Sequence, residues 1–361
     1  MLSDNTFKAC FRMDYSSFMH LVKLLENTLQ RDVKMGNLRN GAVCVEFQLA
    51  MTIRLLAGGS VYDVMSLHVV AKSTVHHIFH RVVDALNDCS ALDCVWPEGD
   101  DVTKSAAIFR ERSSNDVIQH AVGAMDGLFV RIQKPSKRMH SLPKRFYSGH
   151  KKAFGFNFQG ICNGNYEIIA WTMNCPGSQN DRTAFAHSGF EQLLLGLPEG
   201  FYVLGDAAYP ASDRVLVPFP GLNLELSQDS FNFAQSQCRM AIEQTFGIMV
   251  RTWGILWKPI EYSFERVSSV MDAVVRLHNF VRRIRVGVAT TDVNRSTTCP
   301  VDFTPESTII GDYFQTVQSR TGRPAALQPS SVRENIRCML QIQGIVRPAD
   351  NVHRNEGWRR P

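Results

Sequence analysis

The hydrophobic period of this chain changes once, near Pro97, and that change limits its fold more than any other feature. Before it, apolar residues recur at helical spacing: Phe18, Leu21, Val22, Leu24 and Leu25, then Val45, Phe47, Leu49, Ala50, Ile53 and Leu56. Gly58-Gly59 interrupts the second helix. Ser60 can cap a short one through Met65 and Leu67, and Lys72-Ser73-Thr74 opens another that turns Val75, Ile78, Phe79, Val82, Val83 and Leu86 inward. Beyond a polar connector at 97–101 the pattern becomes one of short apolar runs, at 117–125 and 128–132. Two more, at 154–162 and 166–173, are split by Asn163-Gly164-Asn165, a hairpin signal. A further run at 201–204 ends in Gly205-Asp206, and helical patterns cover 233–250 and 267–286. Strands first, then strands alternating with helices, predict an α/β domain over 105–285, a mixed sheet flanked by helices, behind an all-helical domain over 1–100. Residues 286–361 carry Pro300, Pro305, Pro324 and Pro329 and one helical stretch at 332–342, and are expected to form a loosely structured tail. No internal repeat or low-complexity tract is present.

Two short helices joined by a tight connection, the second opening Lys-Ser-Thr, also fit a helix-turn-helix. There the first turn of the second helix meets the major groove, which would give Lys72, Ser73, Thr74, His76 and His77 contacts with DNA. A plain three-helix scaffold has the same periodicity, so both readings stand. His76 and His80 sit one turn apart, but a metalloprotease helix needs Glu where His77 stands, and no further zinc ligands lie nearby. These histidines are expected on the DNA-facing or packing side.

No run approaches the roughly 18 apolar residues of a membrane span, and no basic-then-apolar leader opens the chain, so no membrane association is expected. The nine cysteines form no CxxC pair, which predicts reduced thiols in an intracellular protein. Neither a Gly-rich phosphate loop nor a Gly-x-Ser-x-Gly elbow appears, so no nucleotide cofactor and no serine esterase chemistry are expected. The net charge of +5 is mild, but its distribution is uneven. Residues 131–152 hold eight basic side chains (Arg131, Lys134, Lys137, Arg138, Lys144, Arg145, Lys151 and Lys152) and no acidic one, which leaves the rest of the chain at −3. Lys and Arg neutralise phosphates, and the interleaved Phe146, Tyr147, His150 and Phe154 could stack on unpaired bases. The competing reading is a solvated strand edge kept from aggregating by Lys. Arg276, Arg282, Arg283 and Arg285 either extend the basic surface or form the wet face of their helix.

Three carboxylates stand out by position. Asp126 follows a buried-strand pattern in Gly123-Ala124-Met125-Asp126-Gly127, and Asp206 follows another in Tyr202-Val203-Leu204-Gly205-Asp206. Strand ends of α/β sheets are where polar groups converge on ligands. Glu243 lies at the edge of the stripe made by Ile242, Phe246 and Met249. An all-oxygen set of this kind suits Mg²⁺ or Mn²⁺ rather than Zn²⁺. Two such ions, about 3.5–4 Å apart, can serve phosphodiester chemistry. The alternatives are an Asp that caps a turn and a Glu243 paired with Arg239 one turn before it.

Those motifs continue in order through Pro176-Gly177-Ser178-x-x-Asp181, Leu204-Gly205-Asp206-x-x-Tyr209, Pro218-Phe219, Arg239-x-x-Ile242-Glu243-x-x-Phe246-Gly247 and Leu277-His278-Asn279. Over residues 121–280 this order resembles the transposase of PIF/Harbinger DNA transposons, and the helical region before it resembles that family's N-terminal part. The resemblance implies an RNase H-like nuclease core whose Asp126, Asp206 and Glu243 are the catalytic DDE triad and ligands of two Mg²⁺ or Mn²⁺ ions. It implies cutting of double-stranded DNA at terminal inverted repeats and joining to a short A/T-rich target. It further implies a Myb-like DNA-binding partner that supplies much of the end recognition, a homo-oligomer that pairs two ends, and a nuclear location reached from the cytoplasm with the partner. Asp181 is either a fourth acidic contact or a turn cap, and a structural or supporting role is expected for it. Leu128-Phe129 stands where relatives often carry a polar pair, a departure that bears on local substrate contacts. The alternative is a domesticated, non-catalytic derivative that binds DNA or a Myb-like protein.

Overall fold

The computed structural model describes residues 3–30, 41–136, 142–286 and 330–348. Five helices come first: α1 (Asp4–Phe11), α2 (Tyr15–Leu29), α3 (Val45–Leu56), α4 (Val61–His68) and α5 (Lys72–Asn87). The Asp14 carboxylate caps α2 by accepting from the Ser17 amide, and that bond above all holds its pKa down to about 2. Gly58 ends α3 at φ 98°, with the backbone of Gly254 so close that neither glycine has room for a side chain. The connector expected at 97–101 runs straight into α6 (Asp100–Arg112). This helix has no clear apolar stripe in the sequence, because only Val102, Ser105, Ala106 and Phe109 of it are buried. Asp100 and Asp101 lie in its first turn, where acidic side chains suit the helix dipole.

Strand β1 (Ala121–Arg131) is followed by β2 (Tyr147–Ser148), β3 (Ala153–Cys162) and β4 (Ile168–Pro176). Then come α7 (Asp181–Ala186), α8 (Phe190–Leu195), β5 (Tyr202–Leu204) and β6 (Val215–Leu216). The long helices α9 (Leu226–Thr252) and α10 (Phe264–Val286) and a last described helix, α11 (Ser331–Gln343), complete the chain. The sheet runs β2-β3-β1-β5-β6, with β4 also on β3. Pairing of β1 with β3 and of β3 with β4 is antiparallel, whereas β1–β5 and β5–β6 are parallel. This mixed six-stranded sheet flanked by helices, with helices alone at the N-terminus, is the RNase H-like α/β fold.

The two apolar runs at 117–125 and 128–132 belong to one strand, so Asp126 is inside β1 and pairs with Gly160, not at a strand end. The parallel ladder with β5, however, stops at Ala124–Leu204. Asp126 therefore stands just past the end of β5, with Asp206 close by. Val122, Met125, Ile161, Val203 and Val215 meet the short helices α7 and α8 on one sheet face. On the other face Ala124, Val130, Phe158 and Trp171 meet α9 and α10, in a core that runs on through Leu21, Leu25, Phe79 and Val82. No described helix is long and apolar enough to cross a membrane.

Candidate active site

Asp126, Asp206 and Glu243 come from β1, from the loop directly after β5, and from α9. The pleat turns Asp126 and Leu128 to the face that α9 covers, and Gly127 to the other. On α9, Gln235 donates to the carbonyls of Gly205 (2.7 Å) and Leu216 (3.2 Å), which ties the helix to the ends of β5 and β6 beside Asp206. Asp206 accepts from the Ala208 amide at 2.9 Å, and Asp126 from the Gly127 amide at 2.8 Å. One guanidinium connects the helix to the strand. Arg239 lies 2.7 Å from Glu243 and 3.9 Å from Asp126, so the two carboxylates flank a single cation.

Burial pushes the Asp126 carboxyl up to about 6; Arg239 and the Gly127 amide oppose the shift, and Asp206 and Asp181 add to it. A desolvated carboxylate beside like charges is stabilised by added positive charge. The donors are hard oxygens, which fit Mg²⁺ or Mn²⁺. The triad is not assembled as a ligand set here, since among the described residues no three His, Cys, Asp or Glu side chains are grouped closely enough to hold an ion. The reason is visible: Glu243 is half exposed and held by Arg239, the pairing that its i,i+4 spacing allows.

Asp181 approaches from the opposite face. It starts α7, whose cap is Asn180, and its carboxylate fills the space where a Gly127 side chain would stand. Asn157 and Gln159 of β3 each donate to its Oδ1 at 3.0 Å, and the buried Tyr209 hydroxyl donates to Gln159 Oε1 at 2.6 Å. Asp181 thus supports the strand behind Asp126 through a buried polar network. Sequence reading missed Asn157 and Gln159. Their signal was a pair of polar residues two apart inside an otherwise apolar strand, which places both on one face. The same face explains Gly177 and Gly155, against which the Phe129 ring packs.

The basic segment divides. Arg131, Lys134, Lys144, Lys151 and Lys152 are exposed, with no ion pair among the described residues, at the end of the sheet where β1 stops and β3 starts. Arg145 is half-buried, and Lys137 and Arg138 lie outside the described residues. Of the interleaved aromatics, Tyr147 and His150 are exposed. Phe146 is buried against Phe156 and Phe264 and cannot stack on a base; Phe154 packs on Tyr147. Neither reading of the α10 arginines holds for three of them, because they turn inward. Arg276 pairs with Asp93 and Asp272, Arg283 with Glu167, and Arg282 covers the Tyr166 ring at 5.0 Å. Only Arg285 is exposed.

At the possible helix-turn-helix, α4 and α5 are joined across 69–71. Lys72, Ser73 and His77 are exposed, Thr74 and His76 half-buried. The Lys72 ammonium sits 5.0 Å over the Tyr62 ring. His80 packs against Phe79 and Tyr262, away from His77. None of the eight described cysteines is in a disulfide.

Residues 125–279 match the family model described as DDE superfamily endonuclease, a stretch that holds Asp126, Asp181, Asp206 and Glu243 and ends on Asn279. The chain is also similar to the protein Antagonist of Like Heterochromatin Protein 1 of Arabidopsis thaliana, at 23% identity over 299 residues, which cover 77% of this chain and 73% of that one. No solved structure matches the chain. The stretch that carries the carboxylates is therefore similar to a DDE endonuclease domain.

Proposed function

We propose that the chain is a DDE-type nuclease and transposase of the PIF/Harbinger kind, with Asp126, Asp206 and Glu243 as its catalytic carboxylates. The observation that carries this is the meeting of Asp126, inside β1, and Asp206, in the loop after β5, just beyond the end of the parallel β1–β5 ladder, with Glu243 across one guanidinium from Asp126. Asp126 and Asp206 would hold Mg²⁺ or Mn²⁺, and Glu243 would complete the set if its pair with Arg239 opened. Two bound ions supply Lewis-acid activation of an attacking oxygen and neutralise the charge on the leaving oxygen. The chain's own part is to desolvate Asp126, to brace its strand through Asp181, and to hold a DNA backbone on Arg131, Lys134, Lys144, Lys151 and Lys152. Lys72, Ser73 and Thr74, in the uncapped first turn of α5, present amides and a cation to a second stretch of duplex. With this reading go terminal inverted repeats as substrate, a Myb-like partner, a homo-oligomer, a nuclear location, and a division of roles between a helical part (1–100) and a nuclease part (105–285) that share one core.

The test is nicking of a labelled terminal-repeat duplex, with the partner present, in Mg²⁺ or Mn²⁺, by wild type and by Asp206→Asn. Wild type should nick and the variant should lose at least about 100-fold of the rate, the scale on which one catalytic group contributes. A second reading, a non-catalytic derivative, draws on the Arg239–Glu243 pair and on the similar protein whose name describes an antagonist of another protein. DNA binding without nicking by wild type in either metal decides for it.

A further inference from the structure

The groove between β1 and α9 does not end at the carboxylates. Leu128 follows Asp126 on the same strand face, and Gly247 and Arg251 follow Glu243 at successive turns of α9, so Arg251 lies about 12 Å along the helix from Glu243. There an open trough of about 500 Å³ is lined by Leu128, Phe246, Gly247, Val250, Arg251 and Trp257. Nothing stands within 4 Å of where a Gly247 side chain would be, so the way from Glu243 into the trough is clear. Trp257 is 57% exposed, although its indole N–H is fixed on the Val250 carbonyl at 2.8 Å. It is a large aromatic face, held in one place and open to solvent.

Arg251 also lines a second cavity, of about 530 Å³, between the start of the chain and the ends of α9 and α10. Lys8, Arg12 and Arg285 share that wall, against one carboxylate, Asp14, which Ser16 and Ser17 already occupy. Lys8, Arg12, Arg251 and Arg285 make no ion pair among the described residues. Among the described residues Arg12 donates to the carbonyls of Ala9 and Ala57, and its buried Nε has no partner. Four cations facing a single carboxylate that is already hydrogen-bonded, next to a fixed aromatic and an apolar floor, complement a nucleic-acid strand: a base for the trough, phosphates for the cavity.

We infer that the trough seats an unpaired base of the DNA strand at the candidate active site, stacked on Trp257, and that Arg251, Lys8, Arg12 and Arg285 hold the backbone phosphates beyond it. This rests on the nuclease reading. Leu128 supplies the floor of the trough. The full chain is titrated in EDTA with two duplexes, one fully paired and one with a single unpaired 2-aminopurine near its end, and binding is followed by the probe's fluorescence. Wild type should prefer the unpaired duplex by about tenfold, within the range for one base–aromatic stack. Trp257→Ala should lose the preference and Trp257→Phe should keep it. Arg251→Glu should weaken both duplexes and flatten the salt dependence by about one phosphate contact. A wild type without the preference, or a Trp257→Ala that keeps it, overturns the seat. Nicking of the same duplexes in Mg²⁺ or Mn²⁺ separates the two ideas. A Trp257-dependent preference without nicking overturns the nuclease reading and leaves the seat standing, and nicking with unchanged Trp257→Ala binding does the reverse.

Discussion

Two single residues show how closely this fold is fitted around its polar groups. His278 is buried on α10 with its Nε2 2.8 Å from the Tyr166 carbonyl, so in the fold it is neutral and donates. Burial, helped by Arg282 and Arg285, pushes its pKa down to about 4. An unfolded histidine takes up its proton near 6.5, so the contribution of His278 to stability is complete above that pH and is lost as pH falls towards 4. The loss amounts to about 3 kcal/mol at the acid end. His278→Gln keeps a donor and removes the titration. Urea unfolding at pH 7.5, 6, 5 and 4 should therefore show the wild type losing stability faster than the variant, and parallel curves would refute this. Gly127 is the second case. Alanine there would overlap the Asp181 carboxylate and crowd the Gln159 amide, so Gly127→Ala should destabilise the protein by about 1–3 kcal/mol, as overpacking does. It should also slow nicking beyond any loss of folded protein, because the strand that moves carries Asp126. Wild-type stability and rate together would show that Asp181 does not brace that strand.

At the scale of elements, the hairpin β3–β4 is held by α10 as well as by its own turn, where the Asn163 side chain accepts from the Asn165 and Glu167 amides. The Asn279 side chain accepts from the Ile168 amide at 2.8 Å and donates to the Ile168 carbonyl at 2.7 Å, as a neighbouring strand would. Asn279→Ala leaves both backbone groups buried and unpaired, which should cost about 2–4 kcal/mol in chemical unfolding. Amide exchange should accelerate first at Ile168, and uniform acceleration across the sheet would argue against the clamp. Such contacts mark where the sequence stops being legible. Local signals were sufficient for the hairpin and for the long helices. They failed at Gly127, which looks like a break but is glycine because Asp181 takes the space. They failed at α6, which turns only a narrow face inward. The arginines of α10 have partners more than 100 residues away, at Asp93 and Glu167, so nothing near them in the sequence reveals that they turn inward. Arg333 of α11 is likewise buried over the Phe219 ring at 4.2 Å, so the one described helix of the expected loose tail is firmly docked.

At the scale of the molecule, the helical start of the chain and the sheet share one apolar core. Phe79 stacks on Tyr262 at 5.4 Å, Arg266 pairs with Asp84, Asn87 donates to the Ser269 carbonyl, and Leu21, Leu25 and Val82 belong to the same cluster as Phe158, Trp171 and Phe246. That arrangement links α5, whose first turn is offered to DNA, to α10 and so to the strands that carry the candidate site. If the core is continuous, the two parts cannot melt independently, whatever their separate roles. Urea unfolding of the full chain should give one transition, with coincident midpoints by far-ultraviolet circular dichroism, which sees chiefly helices, and by tryptophan fluorescence, to which the buried Trp171 and Trp253 contribute. A chain shortened to residues 105–286 leaves the α5-facing side of α10 bare and should show no cooperative transition, with exposed apolar surface that binds a hydrophobic dye. Two separated midpoints in the full chain, or a sharp transition in the fragment, would make the sheet a self-sufficient domain and confine the role of α1 to α5 to binding.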